Sequence, residues 1–198
     1  MSFRTEIKAR LSKSDLLIIK SKLLALGMKE LYPSRQINSL YFDTPDLMMF
    51  HDSEEGVLPR KKIRLRWYED KTKCSLEKKI SSIEGRFKTT SIKKFNSKKK
   101  KFIFDQSYGL IKPSLLVSYR RSYFIYKELR ITFDTSISYV HNFYKHKQLK
   151  EDFENVMEIK TDINANIEYI HRLIPNFQAA RFSKYCRGLE LFINNPTL

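Results

Sequence analysis

Cysteine is nearly absent: the 198 residues hold only Cys74 and Cys186. Two cysteines make neither a disulfide framework nor a metal-ligand spacing, and the simpler reading is a reducing, intracellular setting. Glycine is also scarce, at 5, while Tyr and Phe number 11 and 14. That balance suits a β-rich fold with half-buried strands. No stretch approaches the roughly 20 apolar residues of a membrane helix, and Met1-Ser2-Phe3-Arg4-Thr5-Glu6 has no apolar signal core. A soluble, cytoplasmic protein is expected. Acidic residues are in deficit, at 22 Asp+Glu against 38 Lys+Arg, for a net charge of +16. Such a chain attracts polyanions, with nucleic acid, polyphosphate, nucleotides and anionic lipid all candidates. Disorder of the whole chain is excluded by 41% hydrophobic and 13% aromatic content. The length fits one domain, residues 1–198.

What the chain does contain is a repeated device: short strands with alternate residues charged. In Lys62-Ile63-Arg64-Leu65-Arg66-Trp67-Tyr68, the three basic residues share one face and Ile63, Leu65 and Trp67 the other. Arg4, Glu6, Lys8 and Arg10 alternate with apolar residues in the same way. So do Arg130, Thr132 and Asp134, and then Glu158, Lys160 and Asp162. Further strands are read at 37–43, 73–80, 86–89 and 115–124. In the strand at 73–80, Glu77 and Lys79 share a face, which favours Lys79 over Lys78 as the residue on the charged side. About eight strands result. Acids mixed into basic faces are costly inside a closed barrel unless the charges pair or hold an anion and a metal.

The remaining segments are plainer. Residues 14–26 read as a helix with Ser14 as N-cap and Gly27 as stop, its leucines suited to packing on a sheet. Leu47 to Phe50 reads as one helical turn, His51 to Pro59 as a loop and 102–111 as a short helical or irregular segment. The run Lys98–Lys101 reads as a solvated linker or helix end, and 164–174 as a helix ended by Pro175. Cys74 falls on an apolar face and belongs to the core. His51, His141, His146 and His171 lie outside the charged strand faces.

Eight stretches, in this order, resemble one family: Arg4-Thr-Glu-Ile-Lys8, Ser39-Leu-Tyr-Phe-Asp-Thr-Pro45, Lys62-Ile-Arg-Leu-Arg66, Leu76-Glu-Lys-Lys79, Tyr119-Arg-Arg121, Arg130-Ile-Thr-Phe-Asp134, Glu158-Ile-Lys160 and Phe182-Ser-Lys-Tyr185. The set is similar to the triphosphate tunnel metalloenzymes, and within them to the VTC-type polyphosphate polymerase domain. The resemblance implies an α+β fold: an eight-stranded antiparallel β tunnel with helices packed outside. It implies phosphate-binding positions at Lys8, Arg64, Arg66, Lys79, Tyr119, Arg121, Arg130, Lys160, Ser183 and Lys184. Of these, Arg64, Arg66, Lys79, Arg121, Arg130 and Lys184 stand as catalytic, with Lys88 a weaker match. Glu158 matches the metal-binding carboxylate and Glu6 a second acidic position, for Mn²⁺ or Mg²⁺. Ala9 departs from the aromatic that many members carry there.

The activity implied is a metal-dependent phosphotransferase that extends polyphosphate from ATP and releases ADP. The rivals are a triphosphate hydrolase in the same tunnel and a polyanion-binding module without catalysis. The basic ring itself suits phosphoryl transfer, which is mostly positioning plus charge neutralisation. Expected partners are ATP and polyphosphate or triphosphate. Nucleic acid is not expected, because acids share the basic faces and the aromatics fall mostly opposite. Any membrane association would come through another chain, and the sequence leaves the oligomeric state open.

Overall fold

Alternation of charged and apolar residues carries through into a sheet. In the computed structural model, residues 4–94, 102–141, 148–162, 167–174 and 177–194 are described. The expectations for Lys98–Lys101, His146 and Pro175 fall outside those residues. The strands are β1 (Arg4–Leu11), β2 (Lys29–Asp43), β3 (Arg60–Trp67), β4 (Lys73–Ser82), β5 (Gly85–Lys94), β6 (Ile103–Asp105), β7 (Gly109–Tyr126), β8 (Leu129–His141), β9 (Gln148–Glu151) and β10 (Asn155–Asp162). The helices are α1 (Lys13–Ala25), α2 (Met48–Glu55), α3 (Ile167–Leu173) and α4 (Lys184–Asn194). Hydrogen bonding links the strands in the order β1-β10-β8-β7-β2-β3-β4-β5, with β6 on β7 and β9 on β8. Eight strands therefore make the main path, and two short ones are added to it. The registered pairs are antiparallel.

The chain forms two compact units, and the long strands β2, β7 and β8 contribute to both. The first unit comprises Met1–Arg35, Tyr119–Ile137 and Glu151–Phe182. Its core takes Ala9 and Leu11 of β1, Ile131 and Phe133 of β8, Met157 and Ile159 of β10, and Leu16 and Leu23 of α1. Fully burying a side chain such as Ile131 or Ile159 stabilises by about 1.5–3 kcal/mol. Because these residues alternate with the charged ones, filling the core commits Glu6, Lys8, Glu158 and Lys160 to the opposite face.

The second unit comprises Gln36–Ser118, Ser138–Lys150 and Ser183–Leu198. Phe42, Met49, Ile63 and Ile111 form its buried centre, with Leu40, Leu65 and Leu76 packed against them. Helix α4 buries Tyr185, Cys186, Gly188, Leu189 and Phe192. Gly188 sits mid-helix despite its poor helix propensity. A Cβ there would meet the Tyr139 ring at 2.4 Å and Leu115 at 2.6 Å.

Several sequence expectations are corrected. The N-cap of α1 is Ser12, whose side chain accepts from the Asp15 N–H, rather than Ser14. Both serines precede an apolar run, so propensity did not separate them. Leu17, Leu24 and Leu26 are exposed, so α1 packs on the sheet through one narrow stripe only. Residues 103–105 and 109–111 are strand, not helix or coil. The turn at Leu47 to Phe50 extends into the full helix α2, and α4 and β9 had no clear sequence signal. Among the described residues no helix is long and apolar enough to cross a membrane.

Candidate functional site

In the first unit, strand register assembles the charged face. Lys8 stands opposite Glu158, and Glu6 opposite Lys160. On the other side of β10, Glu158 meets Thr132, Lys160 meets Arg130 and Val156 meets Asp134. Lys8 Nζ lies 3.0 Å from Glu6 Oε1 and donates to the Phe182 carbonyl at 3.3 Å. Lys160 Nζ lies 3.0 Å from Glu158 Oε1 and 3.7 Å from Glu6 Oε2, so one ammonium joins both carboxylates. Arg121 grips the fully buried Asp134 with two parallel bonds, Nε to Oδ1 at 2.5 Å and Nη2 to Oδ2 at 2.7 Å. The same guanidinium is 3.5 Å from Glu158 Oε2 and 5.4 Å from the centre of the Tyr119 ring. Arg130 is exposed.

Burial alone would raise the Glu158 carboxyl, but Arg121, Lys160 and Lys8 outweigh it and hold it far below the usual range. It therefore stays ionised, as a cation ligand must. Two buried oxygens here, Glu158 Oε1 and Thr132 Oγ1, lack a hydrogen-bond partner. Glu158 Oε1 is met instead by the charge of the Lys160 ammonium, 3.0 Å away. Among the described residues no three His, Cys, Asp or Glu side chains gather as a metal cage. Two carboxylates on one face, Glu158 and Glu6, nevertheless fit Mg²⁺ or Mn²⁺, which commonly takes one or two carboxylates and completes its shell with waters and substrate phosphates.

In the second unit the basic excess is sharper. β3, β4 and β5 place Lys62, Lys79 and Lys88 in one row, each directly across from the next. Like charges placed so are destabilising. Two residue pairs along, and so on the same face, Arg64 is opposite Glu77. Glu77 accepts from Arg64 Nε at 2.8 Å and Nη2 at 2.6 Å, and from Lys88 at 2.6 Å, with Arg66 3.7 Å away. Three cations thus gather around a single shared carboxylate, and Lys62 and Lys79 add two more on the same face. The other acid of this face, Asp43, is committed elsewhere: it caps α2 through the Met49 and Phe50 N–H groups and accepts from the Tyr185 hydroxyl. Lys62 donates to Ser183 Oγ at 2.7 Å, which brings the turn before α4 to the face, with Lys184 next along. Lys78 points to the other side, where it pairs with Asp105 at 3.2 Å, so Lys79 is the residue on the charged face.

Burial raises Glu77, but Arg64 and Arg66 outweigh it and bring the carboxyl down to about 2. Tyr41 is balanced the same way: burial raises it, Arg64 and Arg66 lower it, and the phenol falls to about 8. Arg64 donates to the Tyr41 hydroxyl at 2.7 Å, and Tyr41 stacks on Tyr185 with centroids 4.8 Å apart. A depressed carboxyl stabilises the fold above its unfolded pKa and loses that contribution as pH falls through the folded value. The stability difference between the wild type and Glu77→Gln should therefore shrink as pH drops from about 4.5 towards 2. Denaturant melts across that range measure it, and a pH-independent difference would refute the ion-pair account.

The structure thus gathers Glu6, Lys8, Tyr119, Arg121, Arg130, Glu158 and Lys160 on one face, and Arg64, Arg66, Lys79 and Ser183 on another, with Lys184 beside Ser183. Sequence reading passed over Lys62 as a site residue, and over Glu77 and Tyr41, which hold Arg64, and Asp134, which holds Arg121. Part of the signal was present: Lys62 shares strand parity with Arg64, Glu77 with Lys79 and Asp134 with Arg130, whereas Tyr41 reaches Arg64 only through the pairing of β2 with β3.

Comparison with known proteins bears on the family and the fold. The family model of the VTC domain matches residues 3–193. No curated protein matches the chain in sequence. Among solved structures, a Vibrio parahaemolyticus protein provisionally assigned as an adenylate cyclase aligns with TM-score 0.56 at 15% identity, over 96% of this chain and 98% of its own. A second provisional adenylate cyclase, from Bacillus halodurans, gives 0.57 at 13%, over 94% and 97%. A Pyrococcus horikoshii protein gives 0.56 at 15%, over 96% and 98%. These likenesses establish the fold as the α+β, antiparallel-sheet fold expected from the sequence.

Proposed function

Because the chain belongs to the VTC domain family, we propose that it is a metal-dependent phosphotransferase that extends polyphosphate from ATP and releases ADP. The observation that carries this reading is the row Lys62, Lys79 and Lys88 beside Arg64 and Arg66, five cations on a face where Glu77 pairs with three of them. A sheet face that bears like charges directly opposite one another calls for an anion of high charge.

The chemistry asks little more of the protein. The attacking oxygen of a growing phosphate chain is already ionised, so no general base is required. The obstacle is bringing two polyanions together. At about 4 Å, two unit charges repel by roughly 1 kcal/mol in water and roughly 4 kcal/mol near a protein surface. Arg64 and Arg66 offer planar forks to phosphate oxygens, and Lys62, Lys79 and Lys88 offer point charges. In the first unit, Arg121, Lys160 and Lys8 supply the same chemistry, and Glu158 and Glu6 would hold Mn²⁺ or Mg²⁺. A bound divalent ion neutralises charge on the phosphoryl oxygens. Glu77 and Asp134 hold Arg64 and Arg121 in place before substrate arrives, so little ordering entropy is lost on binding.

The test is to incubate purified protein with ATP and Mn²⁺ and resolve the products. Long phosphate chains with ADP are the expected result. Free phosphate or pyrophosphate without chains assigns a hydrolase instead, and binding without turnover assigns a polyanion-binding module.

A further inference from the structure

The first unit carries a second feature on its charged face. Tyr32 is a large aromatic left 46% exposed. Its ring meets that of Tyr123 edge-on, with centroids 6.0 Å apart and an interplanar angle of 79°. The Arg35 guanidinium lies 5.9 Å from both centroids. Tyr123 follows Tyr119 and Arg121 on β7 at alternate positions, so the three share a face. Phe124 and Tyr126, of opposite parity, enter the core. Tyr32 and Arg35 therefore reach the end of the face that holds Arg121. Two residues along a strand span about 7 Å, roughly the offset between a phosphate chain and the base attached to it through a sugar.

Two rings at right angles make a corner, and the guanidinium adds a third plane. A separation of 5.9 Å is near the outer limit of about 6 Å for a cation over a ring, looser than direct stacking. Aromatic and guanidinium planes are the groups on which proteins stack unpaired nucleobases.

We propose that Tyr32, Arg35 and Tyr123 form a base-binding subsite for the nucleotide whose phosphates engage Arg121, Lys160 and Lys8. This rests on the reading that the substrate is a nucleoside triphosphate. The subsite holds the base by stacking, so a purine, with its larger ring, binds better than a pyrimidine. Inorganic tripolyphosphate shares the phosphates but has no base, and makes no use of the subsite.

Calorimetric titration of the full chain with a non-hydrolysable ATP analogue and with tripolyphosphate tests the assignment. Tyr32→Ala should weaken the analogue about tenfold, as loss of one stacking partner predicts, while tripolyphosphate changes less than about twofold. Tyr32→Phe should restore the analogue, because it keeps the ring. Arg35→Ala should weaken the analogue more than tripolyphosphate. Equal weakening of both ligands by Tyr32→Ala, or no change in either, overturns the subsite while leaving the phosphate-binding reading intact. A wild-type protein that binds neither ligand overturns both.

Discussion

Arg64→Ala should abolish most activity and unfold more easily than any surface variant. Arg64 is 8% exposed and Glu77 4%, and three short contacts join Arg64 to Glu77 and Tyr41. Removing one partner of a buried ion pair costs about 3–5 kcal/mol, because the other charge stays buried. Lys88 and Arg66 remain near Glu77, which places the expected loss at the lower end. Loss of one donor aimed at developing charge costs about 100- to 1000-fold in rate. Arg64→Lys separates the two effects. It keeps the charge but gives up the fork, so it should regain most of the stability and little of the rate. Chemical denaturation and product analysis on the same preparations read both. A rate restored in full by lysine would show that charge alone suffices at this position.

Glu158→Gln should leave a folded, anion-binding and inactive protein. The amide keeps the shape but removes the charge held between Arg121 and Lys160. Arg121 keeps its double bond to Asp134, and Lys160 keeps Glu6 within 3.7 Å, so the fold loses only about 1–3 kcal/mol. A divalent ion loses one of the two carboxylates this face offers it. Mn²⁺ binding, followed by its paramagnetic signal, should weaken at least about 100-fold, beyond the usual cost of changing an outer-shell partner. Metal-dependent turnover should fall with it. Tripolyphosphate without metal should bind as well as before or more tightly, since a negative charge has left the face. Full Mn²⁺ affinity in this variant would remove Glu158 from the metal site and leave it a structural partner of Arg121.

Strand parity was the most legible part of the molecule. Lys62-Ile63-Arg64-Leu65-Arg66 could be assigned its two faces from alternation, because a strand side chain has only two directions. The same rule placed Glu6 with Lys8, and Glu158 with Lys160. Helices were less legible where small polar residues cluster: Ser12 and Ser14 both qualify as caps, and only the Asp15 N–H contact decides between them. α4 escaped notice because its start, Ser183-Lys184, read as a site motif. The interval 102–111 misled because a three-residue strand such as β6 has too few positions to show a period.

The sequence alone determined the alternating pattern, the basic excess and the family, since these depend on residue order and spacing. Tertiary structure decided the partners. Which cation meets which carboxylate depends on register between strands far apart in the chain, as with Lys8 and Glu158, or Lys160 and Glu6. Register also turned Lys79 to the charged face and Lys78 to Asp105. A slip of one residue would exchange them, and packing of the alternate apolar residues prevents that slip.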